Sequence, residues 1–140
     1  MQGARRYQAC TRDIAVTVTP RFLEDQSSPA QGDYFWAYTI EIVNLGSRPV
    51  QLRRRLWRII DGDGAVEAVT GEGVVGEQPC IAPGDAFVYT SGCPLRTPHG
   101  VMSGSYAMES ADGETFEVAI PTFVLDSPYA ARAARAKVTH

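Results

Sequence analysis

The sequence predicts an all-β domain: an antiparallel β-sandwich of the immunoglobulin or fibronectin type III kind, with about seven strands. Two observations predict it. Apolar residues recur with period two rather than 3.6, as on half-buried strands. Turn-forming clusters of Gly, Pro, Asp, Asn and Ser separate these runs at the spacing of a sandwich. A closed barrel is the alternative all-β arrangement. The cysteine pair and ordered core tryptophan of a true immunoglobulin domain are absent.

Each strand follows from its own pattern. Ile14, Val16 and Val18 alternate with Ala15, Thr17 and Thr19. After the turn segment from Gln26 to Asp33, a second strand from Tyr34 to Val43 places Tyr34, Trp36, Tyr38, Ile40 and Ile42 on one face. Asn44-Leu45-Gly46-Ser47-Arg48-Pro49 closes it and opens a third strand. There Val50, Leu52, Leu56 and Ile60 share a parity with Arg54 and Arg58, while Trp57 and Ile59 take the other face. No single apolar face results, and a β-bulge near Arg54 and Arg55 would repair the phase. Asp61-Gly62-Asp63-Gly64 is a hairpin turn. A fourth strand covers Ala65 to Thr70, and Gly71 to Gly84 reads as loop. The fifth strand covers Asp85 to Ser91. The sixth covers Val101 to Ser110, with Met102, Tyr106 and Met108 in phase and Gly104 suited to a close approach. Asp112-Gly113 turns into a seventh strand, Thr115 to Leu125, where Pro121 separates two apolar parities and so marks a bulge or an edge.

The chain has 140 residues, the size of one domain. We expect an arm at residues 1–7, the sandwich over 8–128, and a disordered or frayed tail at 129–140, where cationic residues lie among alanines without an apolar face. Charged residues make up 21% and the net charge is −3, so no strong nucleic-acid binding is expected. No apolar run approaches the about 20 residues that span a bilayer. The stretch from Met1 to Cys10 has Arg5 and Arg6 but no apolar core of a signal peptide. Cys10, Cys80 and Cys93 are odd in number and form no CxxC pair. Reduced thiols and a cytoplasmic location follow as expectations.

The run Gly71-Glu72-Gly73-Val74-Val75-Gly76 satisfies GxGxxG by letter. A dinucleotide fingerprint needs a helix after the glycines to meet the pyrophosphate. Here Glu77, Gln78, Pro79 and Pro83 follow, so no helix starts and a tight loop is expected instead. Consecutive backbone N–H groups of Gly71, Gly73, Val74, Val75 and Gly76 would be its only means of holding an anion, against the charges of Glu72 and Glu77. Arg53-Arg54-Arg55 with Arg58 is the basic cluster. One reading is a solvated face whose arginine stems cover Trp57. The other is a docking patch of Arg53, Arg55, Trp57 and Arg58 for an acidic partner. Catalytic residues are not evident. A Cys80, Cys93 and His99 metal set has irregular spacing and no fourth ligand. No metal or cofactor is expected, and the chain reads as a non-enzyme.

The motifs nevertheless form a pattern. Gln26-Ser27-Ser28-Pro29, Tyr38-Thr39-Ile40, Asn44-Leu45-Gly46, Val50-Gln51-Leu52 and Arg55-Leu56-Trp57 lead to the block from Gly71 to Pro79. Ala82-Pro83-Gly84, Tyr89-Thr90-Ser91-Gly92, Gly104-Ser105-Tyr106 and Ile120-Pro121 complete it. From about Tyr7 to Pro128 the chain resembles the bacterial ApaG family, also called CorD. The resemblance implies a fibronectin type III-like sandwich and brings no catalytic residues. It implies a binding module, with a protein-interaction role presumed for related eukaryotic domains. It also brings an association with cobalt tolerance and magnesium efflux, hence an alternative role as a small-ligand or divalent-cation-responsive protein. Nucleotide or pyrophosphate binding or hydrolysis at the glycine loop is a third reading. The partner implied is an unidentified protein, and an edge strand also offers a surface for homodimer pairing.

Overall fold

Alternating burial is what turns these runs into two facing sheets. The structure, a computed structural model, describes residues 5–130. One sheet has the order β1(Tyr7–Thr11), β2(Ile14–Phe22), β3(Tyr34–Asn44), β7(Ala86–Leu95). The other has β5(Val66–Glu72), β4(Val50–Asp61), β8(Gly100–Ser110), β9(Thr115–Leu125), with the two-residue β6(Cys80–Ile81) also on β4. All pairings are antiparallel. The predicted sandwich is present, with two strands more than expected.

The extra strands have weak local signals. In β1 only Tyr7 is large and apolar. Its turn into β2 uses Arg12 and Asp13, both at positive φ (48° and 65°), a conformation that hairpins usually assign to Asn and Gly. The arginine is held there from outside: its guanidinium lies 4.4 Å from the Phe116 ring centre and pairs with Glu114 at 3.0 Å. β6 is a short pairing inside the expected loop, with Ile81 opposite Val50.

β3 buries Trp36, Tyr38, Ile40 and Ile42 as its alternation predicts. In β9 the parity switch is a bulge: Ser103 of β8 faces both Pro121 and Thr122, between the pairs Met102–Phe123 and Gly104–Ile120. Val118, Ile120, Phe123 and Leu125 all point inward as a result. In β4 the bulge falls at Arg53, between the pairs Leu52–Met108 and Arg54–Ala107. That is one residue earlier than expected, and it inverts every later side chain. Trp57 is therefore a core residue, 4% exposed, packed on Tyr38 and Phe123 at ring separations of 5.4 and 5.9 Å. It is not covered by arginine stems on an outer face, and Leu56 is the exposed neighbour.

The two sides of the sandwich differ. β1 packs on β9, and the Thr11 hydroxyl accepts a hydrogen bond from the Ala119 N–H at 3.2 Å. Tyr7 stacks at 6.1 Å from Phe123, and Trp36 Nε1 donates to the Asp126 carbonyl at 2.7 Å. At the opposite side β7 and β5 are the last strands of their sheets, and a cleft remains between them. Most of the expected tail lies outside the described residues. Tyr129, within it, rests against Phe22 and Tyr34. Among the described residues no helix is long and apolar enough to cross a membrane.

Candidate functional site

The glycine run is a hairpin tip. Val74 and Glu77 exchange reciprocal N–H to carbonyl bonds of 2.8 and 2.9 Å, and Val75 and Gly76 between them have φ of 42° and 82°. This is the two-residue primed turn, with a valine where glycine or asparagine is usual. The Gly73 N–H donates to the Arg53 carbonyl at 2.9 Å. A Cβ on Gly73 would lie 2.2 Å from the Glu77 carbonyl oxygen, so the glycine serves chain closure. The N–H groups of Gly73 and Val74 are thus already committed to protein carbonyls. Gly71 has another task. The Arg55 guanidinium lies flat over it, and a Cβ there would sit 2.7 Å from Cζ.

Arg55 links the tip to the cleft. After the bulge it points inward beside Trp57, and its Nη1 donates to the carbonyls of Glu72 and Gly73 at 3.1 and 2.9 Å. No carboxylate pairs with it among the described residues. The cleft it borders has a volume of about 460 Å³, within the range of small-molecule sites. Tyr38, Trp57, Tyr89 and Met102 form its buried floor. Ile59, Val69, Val74, Val75 and Gly76 line one wall, and Ser91, Gly92, Cys93 and Pro94 of β7 the other, with Glu67 also lining it.

Burial controls the acid–base state of this site. Tyr38 and Tyr89 are held above the ordinary phenol range by desolvation, with the Ser91 hydroxyl near Tyr38 acting in the opposite direction. The Cys93 thiol is pushed up to about 11 by burial, with the Glu67 charge adding to it. Raised pKa favours the neutral thiol, and the thiolate is the reactive form. Cys10 and Cys80 are exposed. At pH 8, a maleimide is expected to label those two in the native protein and Cys93 only after unfolding. Prompt native labelling of Cys93, read by mass spectrometry, would contradict this.

The predicted site residues are therefore divided. Arg55, Trp57, Val74, Val75 and Gly76 meet at the cleft. Arg53 sits at the bulge and pairs with Glu109 at 3.7 Å, and Arg58 is on the outer face. Cys80, Cys93 and His99 lie on different parts of the fold: β6, β7 and the Thr97–Gly62 corner, where Thr97 donates to the His99 carbonyl at 2.8 Å. Among the described residues no three His, Cys, Asp or Glu side chains are grouped to hold a metal ion. The cleft tyrosines, Ser91 and Glu67 were missed as site residues, because what unites them is the facing of two sheets.

The ApaG domain profile matches residues 24–110, which span β3 to β8. The chain belongs to the ApaG domain family. It is 60% identical over 126 residues to Protein ApaG of Methylobacterium sp. strain 4-46, covering 90% of this chain and 97% of that one. Identity to Protein ApaG of Methylorubrum populi is 61% over 126 residues, with the same coverage of 90% and 97%. The crystal structure of an ApaA protein from Bordetella pertussis superposes with a TM-score of 0.81 at 51% identity, covering 83% of this chain and 94% of that one. The glycine hairpin and Arg55 both fall within the matched family segment.

Proposed function

We propose that this ApaG-family domain is a non-enzymatic, cytoplasmic protein-interaction module that docks its partner on the outer face of the β5-β4-β8 sheet. One observation carries the reading. Leu56 is 49% exposed in the middle of that face, between the exposed Arg54 and Arg58. Its cross-strand neighbours are Thr70 on β5 and Ser105 on β8, and those of Arg58 are Ala68 and Ser103. Outer sheet faces usually screen such a leucine with long charged side chains. Here its cross-strand neighbours are small, and neither Arg54, opposite Glu72 on β5, nor Arg58 forms an ion pair among the described residues. The complementary surface is an apolar side chain flanked by carboxylates. Arg58 belongs to the docking patch read from the sequence; Arg54 replaces Arg55 and Leu56 replaces Trp57, because the bulge moves the phase.

The test is affinity capture from native cytosol with the wild type, Leu56→Asp, and Arg54→Glu with Arg58→Glu. A central apolar anchor contributes about 2 kcal/mol or more, roughly 30-fold in affinity. A partner retained by the wild type and by a Thr90→Glu control, but lost from both face variants, is expected. Retention indifferent to Leu56 and the two arginines would sink the reading. Self-association that the same variants abolish would replace the partner with a second copy.

A further inference from the structure

The inter-sheet cleft carries a separate inference, independent of the outer face. Tyr89 and Tyr106 place their hydroxyls 2.5 Å apart in the interior. Two hydroxyls bring two protons to one contact. Tyr106 is fully buried and does not line the cleft. Its proton has the Tyr89 oxygen as its acceptor among the described residues, since no other partner of its hydroxyl exists there. Tyr89, 7% exposed, lines the cleft. With its oxygen accepting from Tyr106, its own proton has no protein acceptor and is directed into the cleft. A donor held this way is stabilised by an acceptor that the cleft admits.

Arg55 adds a second set of donors at the same place. Its Nη1 is used by the hairpin carbonyls, while Nη2 and Nε have no protein acceptor among the described residues. The Tyr38 and Ser91 hydroxyls are close by. The polar groups thus call for an acceptor with negative charge. The floor calls for an apolar body, being built of Trp57, Met102 and the tyrosine rings. One cation, with the Glu67 carboxylate on the same cleft, suits a monoanion and opposes a phosphate dianion.

We propose that the cleft between β5 and β7 binds a monocarboxylate on a compact apolar body, the carboxylate held by Arg55 and the Tyr89 hydroxyl and the body laid on Trp57 and Met102. A free organic acid and the carboxyl-terminal residue of a polypeptide share this chemistry.

Residue-resolved NMR titration of the full chain separates these sources and tests the site. The probes are phenylacetate, indole-3-acetate and isovalerate, the neutral phenylacetamide, and N-acetyl-Ala-Phe with a free or amidated terminus. Shifts at Val75, Gly76, Gly92, Cys93 and the Trp57 indole N–H are expected with the acids at millimolar concentration. Phenylacetamide is expected to bind at least tenfold more weakly. Binding by the small acids identifies a free organic acid, and binding by the peptide acid alone identifies a chain terminus. Arg55→Gln is expected to weaken the acids about tenfold. Tyr89→Phe alone strands the Tyr106 proton and risks the fold, so Tyr89→Phe with Tyr106→Phe is the matched variant, expected to weaken them about fivefold. The proposal is overturned if no acid shifts these signals, if acid and amide bind alike, or if both variants bind as the wild type does.

Discussion

Gly104→Ala is expected to lower stability by about 3 kcal/mol or more, with thermal unfolding roughly 10–20 °C earlier. Gly104 faces Trp57 across the central β4–β8 pair. An added Cβ would lie 2.1 Å from the Leu56 carbonyl oxygen and 3.2 Å from Trp57 Cε3. The first contact is backbone, inside a ladder that neighbouring pairs hold in place. Relief requires parting β4 from β8 or turning the indole out of the core, and each loses more than the methyl gains. A melting temperature within about 2 °C of the wild type would show that the pair yields, and would remove this explanation of the glycine.

Phe123→Ala is expected to cost about 3–5 kcal/mol, read as a lower urea midpoint at unchanged slope. Phe123 is fully buried and joins three aromatic neighbours, Tyr7, Tyr38 and Trp57, at ring separations of 6.1, 5.8 and 5.9 Å. Tyr7 lies on β1, Tyr38 on β3 and Trp57 on β4, so one ring ties both sheets and the cleft floor together. Phe123→Leu keeps most of the volume and is expected to cost about a third as much. Equal losses from the two variants would mean that ring packing is not what Phe123 supplies.

Phe123 also shows what could be read without coordinates. Pro121 divides two runs of opposite parity, and a proline cannot donate within a ladder, so a bulge there follows from local residues. The bulge in β4 was readable in kind and not in place. Arg53, Arg54 and Arg55 are identical, so a slip of one residue leaves the pattern of charge unchanged. Any one extra residue among the three turns Trp57 inward and Leu56 outward, and only the partner strand decides which arginine is extra, and with it whether Arg54 or Arg55 faces the interior. β1 escaped for a different reason: Arg12-Asp13 lacks the glycine or asparagine of a primed hairpin turn, and Arg12 is held at its positive φ by Phe116 and Glu114, more than a hundred positions away. The candidate site was the least legible part. The glycine block lies at the rim of the cleft, but the cation beside it is Arg55, whose direction depends on the bulge. Tyr89 and Tyr106 come from opposite sheets, and no local spacing relates them.

The two seams of the sandwich give the domain a spine and a fore-edge, as in a bound book. Along the spine, β1 and β9 are tied by the Thr11 hydroxyl, the Arg12 ion pair and the Tyr7–Phe123 contact. At the fore-edge, β5 and β7 belong to separate sheets that meet through side chains. Spreading the covers there breaks no ladder hydrogen bond, so the aperture can widen while every strand keeps its register. The width of the opening is thus set by side-chain contacts, the Tyr89–Tyr106 hydrogen bond among them, independently of the backbone pairings that hold each cover flat.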